Sequence, residues 1–480
     1  MANADSPPRG LHWRSNTAFI ISTVALGLFT DLFLYGLVVP VLPFMLSDRL
    51  SIPEDEIQSY VSGLLAVYAG VQLLCSVPVG WLADRAPSRQ LPFLCGLVAL
   101  LAGTVMLALG RSIAVLVLAR ALQGVSATVV WTIGLAMVLD TVGTENLGKT
   151  MGVIFSTISV GELVAPVLGG VLYDKAGYGG VFGLAVGIIG IDFAMRLFLI
   201  EKKTAAKYDS SLVDGAASAR EHDARNGETD GEGAAGEEDA LLPGKGEEEE
   251  VYKIKHEPNK LVRAIPILYC LRNPRLLMAL VLSLVQATLL AVFDATVPTE
   301  AQTLFGFNSL KAGLLFIALD IPYLILGPAA GWAVDKYGTK PVAVLGFAWL
   351  VPVLVLLRLP TEGLESGKNN VMLYCAMLAL NGVGLAVIGS PSFVEASEVV
   401  QKYDKANPEF FGANGPYAQL YGFSSMFFCA GLTLGPILGG ALKDSIGYGN
   451  ANAVFAAVSA IAAVLSYLVV GGKPKALRRR

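Results

Sequence analysis

A chain of 480 residues that is 54% hydrophobic and only 15% charged, with a mean hydropathy of +0.60, is too apolar for an ordinary soluble protein, where charged residues approach about a quarter. The composition places it in lipid. The net charge of −4 gathers largely in one acidic run at 230–250, and no basic surface for nucleic acid is present. The five cysteines, Cys75, Cys95, Cys270, Cys375 and Cys429, are scattered and lie mostly inside apolar stretches, so neither a disulfide framework nor a metal cluster is expected.

The polar N-terminal stretch 1–16 precedes an apolar run too long for the core of a cleavable signal and without a small-residue cleavage site, which predicts a retained first span. Apolar stretches of about 18–25 residues, the length that crosses a hydrocarbon core, predict spans at 17–46, 58–83, 91–109, 113–138, 147–172 and 179–200. Six more are predicted at 276–298, 311–333, 341–357, 371–394, 417–441 and 450–470. The expected fold is therefore an all-α membrane protein of twelve transmembrane helices in two pseudo-symmetric six-helix bundles, 17–200 and 275–471.

Between the bundles, 201–274 is rich in Gly, Ala, Glu, Asp and Ser and cannot bury enough apolar surface to fold alone, which predicts a largely disordered acidic linker. Arg9, Arg14, Arg85, Arg89, Lys202, Lys203, Lys207, Lys336, Lys340 and the basic tail 472–480 all fall on one side of twelve spans, which predicts cytoplasmic termini and a cytoplasmic linker. Within the linker, EEDALL at 237–242 has the spacing of an acidic dileucine sorting signal.

The chain states two phrases twice. GWLADRAPSR at 80–89 returns as GWAVDKYGTK at 331–340, and GELVAPVLGGVLYDKAGYGG at 161–180 returns as GLTLGPILGGALKDSIGYGN at 431–450. Two related halves around a central cavity is how many secondary transporters are built. Shared residues read as scaffold. Gly80 and Gly331 let helices approach closely, while Asp84 and Asp335, with Arg85 beside the first, are placed to sit near a helix N-terminus of the other half as a latch. In the second phrase Gly161, Pro166, Gly169 and Gly170 match Gly431, Gly435, Pro436, Gly439 and Gly440, a bend with tight helix contacts.

Residues present in one half only are better candidates for chemistry. Arg120 and Gln123 in LARALQGVSA stand opposite Leu378 and Asn381 in MLALNGVGLA, and Glu162 stands opposite Leu432. Asp31 lies about three turns before Pro40, and Asp294 about one turn before Pro298. A charge inside the bilayer costs at least a few kcal/mol, so each must face protein or a wet cavity and find a partner. Asp31, Arg120, Gln123, Glu162, Asp294 and Asn381 are thus the candidate substrate- and proton-binding residues, with Phe33, Tyr35 and Trp131 as candidate aromatic contacts. Asp192 and Arg196, one turn apart, read as a structural pair, and Glu300 and Asp320 as groups nearer the surface or at packing contacts.

These motifs resemble those of the major facilitator superfamily, in its twelve-span drug:proton antiporter branch that includes the vesicular amine transporters. GWLADRAPSR looks like the loop motif after helix two, LARALQG like the arginine motif of helix four, and GELVAPVLGG like the antiporter motif of helix five. Asp31 with Pro40 and Pro43, MGVIF at 151–155 and the Asp192 neighbourhood are similar to the amine group. The chain differs in having Ala165 where the antiporter motif favours glycine, and Ser424, Ser425 and Pro391 in regions where amine transporters place carboxylates.

The resemblance implies alternating access, with a proton gradient as the energy source and no cofactor. It implies Asp31 binding a proton or a cationic substrate, and Arg120 coupling protonation to the conformational switch. The expected partners are a small-molecule substrate, protons and the lipid bilayer, with the chain acting as a monomer. Export of toxic compounds points to the plasma membrane, and the dileucine string to a vacuolar or vesicular one. An importer or facilitator without proton coupling, and a sensor that binds without flux, are the rival readings. A membrane enzyme is disfavoured because His12, His222 and His256 all lie outside the spans and no paired acidic motif for phosphate chemistry is present.

Overall fold

A computed structural model of the chain describes residues 8–39, 41–86, 88–208, 252–254, 262, 265–307, 309–362, 368–412 and 415–471. The acidic run, the dileucine string, Pro40 and the basic tail lie outside the described residues. Helices dominate: α1 (Thr17–Val38), α2 (Glu54–Arg85), α3 (Gln90–Leu109), α4 (Ile113–Val142), and α5 and α6 within Leu147–Phe198. The second half repeats the series as α7 (Pro274–Phe305), α8 (Ser309–Tyr337), α9 (Thr339–Leu356), α10 (Asn369–Ala406), α11 (Tyr417–Ile446) and α12 (Tyr448–Val469).

Among the described residues eleven stretches are long and apolar enough to cross a membrane, and the longest holds two crossings. Gly177, at φ 59°, breaks the helical path and separates α5 (147–176) from α6 (178–198). Gly447, the same position of the repeated phrase, has φ 82° and turns α11 into α12. Only glycine enters this left-handed region without steric cost. Polar residues start several helices: the side chains of Asn16, Ser112 and Asn273 accept from Ala18, Val115 and Arg275 N–H at 2.8, 3.4 and 2.9 Å.

Several helices outrun their apolar cores. α2 begins at Glu54 and α10 continues to Ala406, well past the expected limit of 394, because a helix can leave the hydrocarbon with a polar sequence such as VEASEVVQKYDKA still hydrogen-bonded along its axis. The expected first span instead breaks after α1, and a short helix, Leu42–Leu50, restarts with Pro43 in its opening turn.

The repeated glycine-rich phrase packs the fifth helix of each half onto the first. Gly161 faces Phe29 and Gly169 lies on the Leu37 backbone, holding α5 on α1. Gly431 and Gly435 lie on the Leu284 and Thr288 carbonyls, holding α11 on α7. Pro166 and Pro436 sit inside these two helices at matching offsets. Gly170 and Gly440 meet nothing within 4 Å, so close packing does not require them in this conformation.

The bundles meet along two seams, α2 with α11 and α5 with α8. Near the first and last described residues, Arg14 donates to the Phe198 carbonyl at 2.6 Å and Gly471 N–H donates to Glu395 at 3.2 Å, and the face that carries these contacts is called here the terminal face. Large apolar side chains such as Leu74, Leu109, Leu345 and Leu468 point outward from the bundles, the surface that lipid requires.

Candidate functional site

Asp31, midway along α1, is 2% exposed and stands among donors. The Tyr68 hydroxyl of α2 lies 3.2 and 3.1 Å from its two carboxylate oxygens, and the Trp131 indole N–H of α4 donates to Oδ2 at 3.2 Å. Trp131 reaches it from a π-helical turn, Val130–Gly134, that interrupts α4. Such turns carry an extra residue and re-aim the side chains around them.

Arg120, about three turns of α4 before Trp131, is 1% exposed. It donates to Gln123 Oε1 at 3.1 Å and stands 5.8 Å from the centre of the Tyr35 ring, while Gln123 in turn donates to Thr104 of α3 at 3.3 Å. The Arg120 Nε and Nη2 are buried without a hydrogen-bond partner. Tyr35 packs against Tyr68 at 5.1 Å between centroids, so two tyrosine rings connect Arg120 to Asp31 and no direct bond joins them. A buried guanidinium with no carboxylate is expensive to hold, and its environment favours any state that supplies one.

Asp192 and Arg196 on α6 form a two-pronged pair at 2.9 and 2.7 Å, completed by the Phe93 carbonyl at 2.8 Å and the Phe93 ring at 3.8 Å. Gly27, one turn before Asp31, leaves the space that the Arg196 guanidinium fills.

A second acidic group crosses the seam between the bundles. Glu162 of α5 and Asp294 of α7 are solvent-accessible although helices of both bundles surround them, and Asp320 of α8 is half-buried. Glu162 lies within electrostatic reach of Asp294 and Asp320, Tyr323 within reach of Glu162 and Asp320, and Tyr35 within reach of both Arg120 and Asp294. These carboxylates therefore lie close to one another where α5, α7 and α8 come together, with Glu162 and Asp294 accessible. Asp320 was expected at a surface or packing contact. Its helical spacing to Gly327 and Gly331, seven and eleven residues on, is the signal that puts it on the α5-facing side. Nothing in the sequence marks Tyr68, whose partner comes from another helix.

Asn381 does not join either group. Its amide donates to the Met377 carbonyl at 2.8 Å and the Val353 carbonyl of α9 at 3.4 Å, so it packs inside the second bundle. Glu300 pairs with Lys443 at 2.9 Å near the face opposite the termini.

On the terminal face the two seams close alike. Asp84, at the end of α2, accepts from the Ala418 and Gln419 N–H groups of α11 at 2.8 and 2.9 Å. Asp335, at the end of α8, accepts from Gly148 and Lys149 N–H of α5 at 2.8 and 2.7 Å. Each carboxylate sits where the unpaired N–H groups and the dipole of a helix start favour negative charge. Gly80 lies against the Ala418 backbone, and Gly331 against that of Gly148, without room for a side chain. The arginine of this arrangement is Arg89 rather than Arg85. Arg89 bonds Asp140 at 2.9 Å and lies 3.6 Å from Asp84, whereas Arg85 lies 4.1 Å above the Trp81 ring on the exposed side. Burial opposes the Arg89 charge, but Asp140, Asp84 and Glu201 more than offset that and raise its proton affinity above the ordinary value.

Inside the latches runs a layer of rings. Trp131 stacks with Phe155 at 6.4 Å and with Phe428 of α11 at 6.1 Å, Phe155 packs on Phe393 of α10 at 5.3 Å, and Phe393 stacks with Tyr421 at 6.5 Å. The terminal face is thus shut by carboxylate latches and an aromatic floor, and accessible carboxylates lie between the bundles.

Twelve helices in two related bundles, closed on one face around buried charge, define a secondary transporter. The chain belongs to the Major Facilitator Superfamily, whose family description matches residues 24–407 and 279–480. It is 50% identical over 475 residues to the MFS-type transporter ppzB of Metarhizium rileyi (strain RCEF 4871), covering 97% of each chain. It is 23% identical over 389 residues to the synaptic vesicular amine transporter of Bos taurus, covering 80% of this chain and 61% of that one. Among solved structures it superposes on the proton:xylose symporter XylE at a TM-score of 0.67 and 13% identity, covering 95% of this chain and 96% of that one. It is a multi-pass membrane transporter of small molecules and not an enzyme.

Proposed function

We propose that the chain is a proton-coupled antiporter that exports a small organic compound by alternating access, with its termini and linker in the cytoplasm and the plasma membrane as its site. The observation that carries this reading is the separation of Asp31 from Arg120 by the Tyr35–Tyr68 pair, which leaves two guanidinium nitrogens unpaired. A proton on Asp31 removes the only charge that its Tyr68 and Trp131 donors serve. A rearrangement that carries Arg120 towards a carboxylate favours loss of that proton, so gain and loss of a proton fall in different conformations. Glu162, Asp294 and Asp320 place three carboxyl groups within electrostatic reach of one another, so a cationic cargo can replace their protons, which supports an organic cation as the exported compound.

The distant likeness to a vesicular amine transporter supports a second reading, in which the same exchange loads amines into a vacuole or vesicle. Proteoliposomes test the core of both. Asp31→Asn is expected to abolish pH-gradient-driven uptake of organic cations while facilitated exchange at equal pH survives. Coupled uptake of wild-type size in that variant overturns the proposal, and localisation of the tagged protein separates the two readings.

A further inference from the structure

We infer that Trp131 is a positioning residue that ties the protonation of Asp31 to the contact between the bundles. The inference rests on the reading that Asp31 takes up a proton during transport. Trp131 touches both the carboxylate and the opposite bundle: its N–H donates to Asp31 at 3.2 Å, and its ring stacks on Phe428 of α11.

Chemistry gives the link a direction. An ionised carboxylate only accepts, and here it meets the Tyr68 hydroxyl and the Trp131 indole, whose N–H can only donate. A protonated Asp31 has an O–H of its own to place and a weaker acceptor to offer, so the indole loses a charge-assisted bond. The other charged or titratable groups facing Asp31 are Arg196 of α6, held by Asp192, and Cys429 of α11. Arg196 is already committed to Asp192 and the Phe93 carbonyl, so the indole is the freer partner.

The backbone under Trp131 supplies a second arrangement. Threonines in the regular parts of α4 return their hydroxyls to the carbonyl four residues back, Thr128 to Gly124 at 2.9 Å, with the Gln72 carbonyl of α2 at 3.3 Å, and Thr141 to Met137 at 2.7 Å. Thr132, inside the turn, buries its hydroxyl with no partner. A return to α geometry offers Thr132 the bond its neighbours have and turns one side of the helix by about 100° relative to the other. Released from Asp31, Trp131 then swings with that turn, leaves Phe428 and Phe155, and loosens the floor above the latches.

The test uses full-length protein labelled with 5-fluorotryptophan in lipid nanodiscs. The five tryptophans are assigned by loss of one 19F resonance in Trp131→Phe or, should that variant not fold, by elimination with single replacements of Trp13, Trp81, Trp332 and Trp349. Acidification is expected to shift the Trp131 resonance, and Asp31→Asn to hold it at the acid position at every pH. Trp131→Phe, which keeps a stacking ring, is expected to lower pH-driven flux about tenfold, the size of a lost charge-assisted bond. A Trp131 resonance unmoved by acid in protein that still transports, or one that moves equally in Asp31→Asn, overturns the inference. A resonance that moves in protein showing no proton-driven flux upholds the link and overturns the proposed function instead.

Discussion

Asp84 and Asp335 occupy the same position of the internal repeat, and each accepts two backbone hydrogen bonds from the first turn of a helix in the opposite bundle. The duplication therefore writes one latch twice, once for each seam. Hydrogen bonds to a charged group contribute about 1.5–3 kcal/mol each in typical proteins, so removing the charge of one carboxylate is expected to shift the closed-to-open balance roughly ten- to a hundredfold. Asp84→Asn or Asp335→Asn should lengthen the distances between spin labels placed at Arg85 and Lys405, one on each bundle of the terminal face. The two single variants are expected to act alike, and unchanged distance distributions in both would show that the latches do not hold the face shut.

The repeated glycines divide into those that packing uses and those that it does not. Gly169 lies on the Leu37 backbone, and its neighbour Gly170 faces open space. Gly169→Ala is expected to lower the unfolding temperature in detergent, with a cost of about 1–3 kcal/mol for overpacking. Gly170→Ala should leave it unchanged or raise it, because alanine is the better helix former by about 1 kcal/mol. Any loss of transport in Gly170→Ala would then belong to another conformation, one in which α5 closes on that face.

Much of this architecture was legible because the chain carries its own comparison. Periodic apolar length exposes the crossings, and the twin phrases identify Gly80, Gly331, Asp84 and Asp335 as interface residues before any contact is seen. Local sequence does less well where a site is assembled from several helices. Arg85 and Arg89 look alike in GWLADRAPSR, yet Arg89 is buried against Asp140 of α4, a partner distant in sequence, whereas Arg85 lies over the ring of Trp81, one turn back on its own helix. Asn381 matches Gln123 in the repeat, but the second bundle has no arginine there, so the amide satisfies carbonyls of α9 and α10. The π turn at Trp131 lies in VVWTIG, with no proline to announce it.

Asp192 and Arg196 illustrate buried charge of the structural kind. Both are fully buried, and their two short bonds leave neither carboxylate oxygen free of a partner. Asp192→Asn should destabilise the protein by about 3–5 kcal/mol, the cost of stranding one member of a buried pair. The double replacement Asp192→Leu with Arg196→Met removes both charges and should recover most of that loss. Denaturant unfolding of the three proteins measures the difference, and a double variant no better than the single one would mean that Arg196 is needed for its packing on Phe93.

Arg120 makes the opposite case, and the repeat itself names the control. Its counterpart in the second bundle is Leu378, which is fully buried, so leucine is a side chain that this helix position accommodates. Two guanidinium nitrogens of Arg120 lack partners, and a cation buried in that condition lowers stability. Arg120→Leu is therefore expected to keep or increase resistance to thermal unfolding while abolishing proton-driven flux. Arg120→Lys keeps the charge but not the planar fork that reaches Gln123 beside the Tyr35 ring, and it should restore little of the coupling. Parallel melting and proteoliposome assays check both halves of the expectation. A leucine variant that melts several degrees lower would make Arg120 a structural residue, whereas one that melts higher and transports nothing fits a charge retained for the exchange.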